Sequence, residues 1–424
     1  MPKKVFEIPY YTSTIKLQVD EKNFKGVITP HKVEKSSKSE AELVLESLCN
    51  PIDSPRLRDL SAGKKKIVLI TCDHTRSMPS KITIPLILEE IRSGAPDAQI
   101  SILIATGTHR VTTVDEQKAM FGEEFVKNET IIVHDAYKAE DMRKVCTLPS
   151  GAVLSVNHRI LDCDLLIAEG FIEPHLFAGY SGGRKSILPG LASLEAVNIN
   201  HSYRAISSPY ARTGVLENNP LHIDMLVAAR AVKLAFIMNV ALDINKKIIA
   251  AFSGNMETAH YKGVEFVDSL AKCPAIIGDI IVTSNGGYPL DQNLYQASKG
   301  MTTAEMCTGE SAVIIVCASC VDGIGGENLQ EWLISGTPDE IDKRISVIPP
   351  EKTFPDQWVV QMYARVLKKH TVILVTTNLD PDLIIKANLI PAASLDEALE
   401  TAYSIKGKDA GVVVIPDGVA VVIG

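Results

Sequence analysis

Ile67-Val68-Leu69-Ile70, then Ile82 to Ile91, then Ile100-Ser101-Ile102-Leu103-Ile104 is the stretch on which the fold turns. A short apolar run, a turn and an amphipathic segment at helical spacing follow one another, and then the apolar run returns. Such alternation predicts a parallel sheet covered by helices. Further on, Leu165-Leu166-Ile167-Ala168 leads into a glycine-rich region from Gly179 to Gly190, and helical segments follow around Leu221 to Val232 and Tyr261 to Leu270. The alternation restarts at Ile276-Ile277-Gly278-Asp279-Ile280-Ile281-Val282, continues through Ala312 to Cys317 and Val372-Ile373-Leu374-Val375, and closes with Val412-Val413-Val414-Ile415. The expected fold class is α/β, with two α/β domains of mostly parallel sheets flanking an interdomain cleft as the natural ligand site. A boundary near Lys272 to Pro274 divides the chain into residues 1–272 and 273–424. Before all this, Val5-Phe6-Glu7-Ile8-Pro9 and Thr14-Ile15-Lys16-Leu17-Gln18-Val19 alternate like two paired strands. A polar stretch from Lys32 to Glu40 reads as a surface connection into a helix over Ala41 to Leu48.

At roughly 150 residues per domain, 424 residues make two or three domains. Apolar residues at 46% and charged residues at 22% match an average globular protein and exclude a disordered one. The net charge of −8 offers no positive field to a phosphate backbone, so nucleic acid is not an expected partner. The longest apolar runs are far below the ~20 residues that cross a bilayer, so no membrane partner is expected. Lys3 and Lys4 are not followed by an apolar h-region, and a cytoplasmic location is the expectation. Eight cysteines in so long a chain read as reduced and buried, and the single C-x-x-C pair, Cys317 and Cys320, lacks the second pair that a structural zinc site needs.

Polar residues gather after the expected strands, where open α/β sheets bind ligands. The clusters are Asp73-His74-Thr75-Arg76, Gly107-Thr108-His109-Arg110, Glu173-Pro174-His175 with Gly179-Tyr180-Ser181-Gly182-Gly183-Arg184-Lys185-Ser186, and Asn285-Gly286-Gly287-Tyr288-Pro289 with Tyr295-Gln296-Ala297-Ser298-Lys299. The third is not a P-loop, because Arg184 stands where that motif requires glycine before lysine. Its glycines can still turn backbone N–H groups toward an anion. His109, His175 and His201 sit among turn or polar residues, the setting of functional histidines. His134 follows the apolar run Ile131-Ile132-Val133 and is a weaker candidate, while His31, His158, His222, His260 and His370 lack a comparable setting.

In these clusters, taken together and in order, the sequence resembles the lactate racemase family almost from end to end. The resemblance implies two α/β domains around a cleft and a cofactor, the nickel pincer nucleotide: nickel held by pyridinium-3,5-bisthiocarboxylic acid mononucleotide. By that resemblance Lys185 carries the cofactor through a covalent thioamide link and His201 completes the nickel coordination. Asp73, His74, Thr75 and Arg76 look like the segment that grips the nucleotide. His109 and His175 match the family's acid/base pair. Gln296 and Lys299 match the residues that hold the substrate carboxylate, with Arg76, Tyr295 and Trp358 beside them. Ser77-Met78 after Arg76 departs from the family's proline there. Proteins that make the cofactor are the implied partners.

The residue types suit that chemistry. Pulling the C2 hydrogen off a 2-hydroxy acid as a proton puts a second negative charge beside a carboxylate, whereas removing it as hydride leaves a flat 2-keto acid. Two bases are needed because the hydroxyl points to opposite sides in the two enantiomers, and imidazole, with a reference pKa of ~6.5, serves either way. The expected function is therefore a nickel-dependent racemase or epimerase of a small 2-hydroxy acid, lactate by default. The alternatives are a nucleotide- or phosphate-binding protein and a metal-dependent hydrolase using the same histidines.

Overall fold

A computed structural model describes residues 2–31, 37–243 and 245–424. The chain folds into two compact units. One takes Val33–His201 and Ser208–Ser269, and the other takes Met1–Lys32, Ser202–Ser207 and Leu270–Gly424. Part of the polar connection expected over Lys32 to Glu40 lies outside the described residues.

The unit that carries the first three clusters is built on a six-stranded sheet. Its order is Ile248–Gly254, Phe236–Leu242, Leu165–Phe171, Lys66–Cys72, Gln99–Ala105, Thr130–Val133. All neighbours are parallel except the first pair. Every residue of Leu165–Phe171 is buried, as a central strand covered on both faces must be. Covering helices include Glu40–Cys49, closed at its N-terminus by a Ser39/Glu42 capping box, and Ser80–Gly94. Val44, Leu48, Ile84, Ile87, Leu88 and Ile91 from these helices bury against Leu69, Ile102, Ile167 and Met238 of the sheet. Strands added after Lys66–Cys72 extend the sheet to one side and those from Leu165–Phe171 onward extend it to the other. The order therefore reverses between these two strands, which makes a crevice at their carboxyl ends.

The second unit has its own six-stranded sheet, parallel throughout, in the order Ile390–Ala392, Thr371–Val375, Thr308–Cys317, Gly278–Ser284, Val412–Ile415, Phe24–Val27. Its order reverses between Gly278–Ser284 and Val412–Ile415.

The linear division at residue 272 lies two residues from where this unit resumes at Leu270, but the unit also draws on the chain's start. The antiparallel hairpin of Lys3–Tyr10 and Ser13–Asp20 puts Ile8, Leu17 and Val19 into one core with Ile280, Val282, Ile315 and Val414. Phe24–Val27 then adds the edge strand. Burial of those side chains, which chain order does not reveal, joins residues far apart in sequence. The short helix Tyr203–Ile206 belongs there as well: Tyr203 donates its hydroxyl hydrogen to Asp342 at 2.9 Å, and Gln361 Nε2 donates to the Tyr203 carbonyl at 3.1 Å.

Cys317 and Cys320 are buried thiols, and burial pushes Cys320 up to about 12. All eight cysteines are free. Among the described residues no helix is long and apolar enough to cross a membrane.

Candidate active site

The crevice of the first unit collects the expected residues because its two flanking strands, and the next one out, end beside one another. Lys66–Cys72 delivers Asp73 to Arg76, Gln99–Ala105 delivers His109, and Leu165–Phe171 delivers Glu173 and His175.

Asp73 is buried and accepts from His109, whose Nδ1 lies 2.6 Å from Oδ2. Its other oxygen accepts the Thr75 hydroxyl at 2.6 Å and the Thr75 N–H at 3.1 Å. Burial raises the Asp73 carboxyl, but the hydrogen bonds from His109 and Thr75 outweigh it and hold the group below the usual carboxylate range. The bond to Nδ1 orients the ring and leaves Nε2 for chemistry. Asp73 therefore serves His109, a role that the cluster's expected grip on a nucleotide did not include. His74 is turned aside to Thr112 at 3.0 Å, and Arg76 reaches Thr75 Oγ1 at 3.1 Å.

A second group forms around Lys185. Two very short strands, Pro174–His175 and Gly179–Tyr180, pair antiparallel and bring the chain back to the 3-10 turn Gly183–Ser186. Gly182 and Gly183 take φ of 78° and 49°, and a Cβ on Gly183 would lie 3.0 Å from the His260 ring. The buried Arg184 guanidinium fixes the turn from inside. It donates to the carbonyls of Ala178 at 2.9 Å and Tyr180 at 2.7 Å, and its Nε donates to His222 Nδ1 at 3.0 Å. His260 Nε2 lies 3.0 Å from the same guanidinium. Burial and this cation push His222 down to about 3 and His260 well below its ordinary value, so both rings are neutral beside it.

Lys185 Nζ lies 3.3 Å from His175 Nε2. Withdrawal from water, then Arg184 and Arg76, lower the amine to about 7 against the opposing pull of Glu173. His175 Nδ1 accepts the Ala178 N–H at 3.3 Å, which places its proton on Nε2, toward the amine. The Phe177 ring sits edge-on to both His175 and His201, with centroids 4.6 and 5.1 Å away. His201 closes the helix Leu194–Asn200, and its Nδ1 lies 3.2 Å from the Val197 carbonyl. Burial and Lys185 push His201 down to about 3, so the ring is neutral, with Nδ1 as donor and the lone pair on Nε2.

The remaining four residues lie in the other unit. Asn293 caps the helix Leu294–Glu305, accepting the Gln296 N–H at 3.0 Å. Gln296 and Lys299 are one turn apart on that helix. The Tyr295 ring meets Trp358, on the helix Gln357–Leu367, edge to face at 5.3 Å. Gln296 Oε1 is buried without a hydrogen-bond partner among the described residues, and so are both amide atoms of Gln357. The structure thus brings together Asp73, Thr75, Arg76 and His109, then His175, Lys185 and His201, and separately Tyr295 with Trp358. His134 is a core histidine, fully buried, with Nε2 3.2 Å from the Ala192 carbonyl.

The sequence matches the Lactate racemase N-terminal domain over residues 10–214 and the Lactate racemase C-terminal domain over residues 273–423. The chain belongs to the lactate racemase family. Lactate racemase of Thermoanaerobacterium thermosaccharolyticum is 49% identical over 419 residues, 98% of each chain. Lactate racemase of Lactiplantibacillus plantarum is 48% identical over 420 residues, covering 98% of this chain and 99% of that one. The solved lactate racemase apoprotein from T. thermosaccharolyticum superposes with a TM-score of 0.96 at 48% identity, over 99% of this chain and all of that one. A crystal structure of a Thermotoga maritima protein, at 18% identity and a TM-score of 0.65, shares the fold.

Sequence reading within this racemase family missed two features. His222 and His260 lie on helices remote from the glycine-rich loop, and only the fold brings them to Arg184. Glu169 sits inside an apolar strand and accepts hydroxyls from Thr71, Ser80 and Thr83. A carboxylate in an otherwise apolar run was the signal available for it.

Proposed function

We propose that the protein interconverts the enantiomers of a small 2-hydroxy acid, lactate first among them, by removing the C2 hydrogen as hydride and returning it to either face. The supporting observation is a pair of groups in one unit, His109 oriented by Asp73 and His175 beside the Lys185 amine and the neutral His201 ring, with Arg76 contacting Thr75 in the first and lowering Lys185 in the second.

The donor set fits the nickel pincer nucleotide. Among the described residues no three His, Cys, Asp or Glu side chains are grouped to hold a metal ion. A metal at this site would need donors from a cofactor, with His201 Nε2 as the protein's contribution. That same donor set weighs against a zinc hydrolase, which takes three protein ligands. Lys185, with an amine lowered to about 7, is suited to a covalent link that a protonated lysine could not form. When bound, the cofactor supplies an electron-poor carbon that accepts the C2 hydrogen.

Everything else falls to the chain. Gln296 and Lys299 hold the substrate carboxylate, the lysine offsetting its charge and the amide fixing its plane. Tyr295 and Trp358 shape that pocket, and Arg76 adds a second cation. His109 takes the hydroxyl proton of one enantiomer through Nε2 and returns it to the keto oxygen when the reaction runs back. His175, whose Nε2 already carries a proton, is the complementary acid for the other enantiomer: it gives that proton to the keto oxygen and takes it back when the reaction runs in reverse. A neutral 2-hydroxy group thus becomes a keto group and is rebuilt on the opposite face without a charge at C2. We place the reaction in the cytoplasm, where eight free thiols persist.

The test is the protein purified from its native host. The account expects a mass adduct on Lys185, stoichiometric nickel, and interconversion of D- and L-lactate on a chiral column within a panel of 2-hydroxy acids. Bound ATP or zinc with no nickel and no interconversion would overturn it.

A further inference from the structure

Among the buried acids of the first unit to which the reaction just described gives no part is Glu169. Glu169, on the strand Leu165–Phe171, is 2% exposed and pairs with no Lys, Arg or His among the described residues. Its partners are three hydroxyls. Thr71 and Ser80 both lie 2.6 Å from Oε1, and Thr83 lies 2.5 Å from Oε2. Burial pushes the carboxyl upward, against those three bonds. A hydroxyl donates to the carboxyl or, where its own hydrogen goes elsewhere as that of Thr83 can to the Pro79 carbonyl, accepts from it, so all three bonds form in either protonation state. The first turn of the fifteen-residue helix Ser80–Gly94, which supplies Ser80, favours negative charge.

The donors are placed to a purpose. Thr71 is the penultimate residue of the strand Lys66–Cys72, and Ser80 is the first of the following helix. One oxygen therefore ties the two ends of the segment 72–79, which carries Asp73, Thr75 and Arg76. Thr83, already inside the helix, binds the other oxygen and also reaches the Pro79 carbonyl. The tie lies beneath the crevice, on the two strands between which the sheet order reverses.

We propose that Glu169 is a positioning residue: through Thr71 and Ser80 its carboxyl group clamps the segment 72–79, and so sets Asp73 and the His109 imidazole that Asp73 holds. The inference rests on His109 acting as a base in the proposed racemisation. A base displaced by about 1 Å loses on the order of a hundredfold in rate.

The experiment compares the double variant Thr71→Val, Ser80→Ala with Thr83→Val in the nickel-loaded enzyme, and follows amide hydrogen exchange of residues 73–79 in the apoproteins. Both variants remove hydroxyl bonds from one carboxyl group and lower Tm. The clamp predicts that the double variant alone loses at least ~10-fold in kcat with KM within ~3-fold and the Lys185 adduct retained, and that it alone exchanges faster at 73–79. Loss of kcat in both variants alike, or in neither, would make the cluster a packing feature and overturn the proposal, as would unchanged exchange at 73–79. Should the unsubstituted enzyme interconvert no 2-hydroxy acid, the functional reading fails on its own, and the exchange comparison still decides whether Glu169 clamps the segment.

Discussion

His109 and His175 are set apart by their partners. One presents Nδ1 to a buried carboxylate, and the other accepts a backbone N–H and faces an amine. General acid–base groups contribute roughly 10²–10⁴-fold, so His109→Ala and His175→Ala should each slow interconversion by about that factor while nickel content stays near normal. Chiral chromatography and metal analysis on the same preparations check both halves. Lys185 carries the pH dependence. Its folded value of about 7 lies below the ordinary 10.5, so between those two pH values the unfolded chain holds a proton that the folded one does not. Folding stability from this group therefore rises with pH across that window, and below it the full cost of a buried charge is present. Lys185→Met should raise the apoprotein's Tm more at about pH 6 than at about pH 10, as read by thermal melts. His109, His175 and Lys185 were legible because each stands in a polar cluster after an apolar run, and His201 because turn and polar residues surround it. Their partners were not, since hydrogen bonds to Asp73, Arg184 or Val197 depend on ring orientation, which spacing does not encode.

Among the elements, the turn that presents Lys185 is held by two left-handed glycines and one buried guanidinium. Gly183→Ala puts a Cβ at a φ of 49° and 3.0 Å from the His260 ring. The left-handed backbone alone costs roughly 1–2 kcal/mol for an L residue. The variant should lose about that much stability in urea melts and retain less of the cofactor adduct. The long strands and helices were readable from their periodicity, as at Lys66–Cys72, Ser80–Gly94 and Gln99–Ala105. The two-residue strands Pro174–His175 and Gly179–Tyr180 were not, because so short a pairing leaves no alternation to detect.

For the molecule as a whole, the restart of the alternation at Ile276 exposed two α/β units, while the start of the chain gave no sign of which core it serves. Leu17 is fully buried among side chains of the strands Gly278–Ser284 and Val412–Ile415. Leu17→Ala should therefore cost about 2–5 kcal/mol, and the loss should register in the unit that contains residues 270–424, resolved by hydrogen exchange. The centre of the proposed reaction is that the C2 hydrogen is carried away and given back. Racemisation of lactate deuterated at C2, run in ordinary water with the nickel-loaded enzyme, tests this most directly. The account predicts that the opposite enantiomer keeps its deuterium; replacement of that deuterium by solvent hydrogen at the rate of racemisation would contradict it.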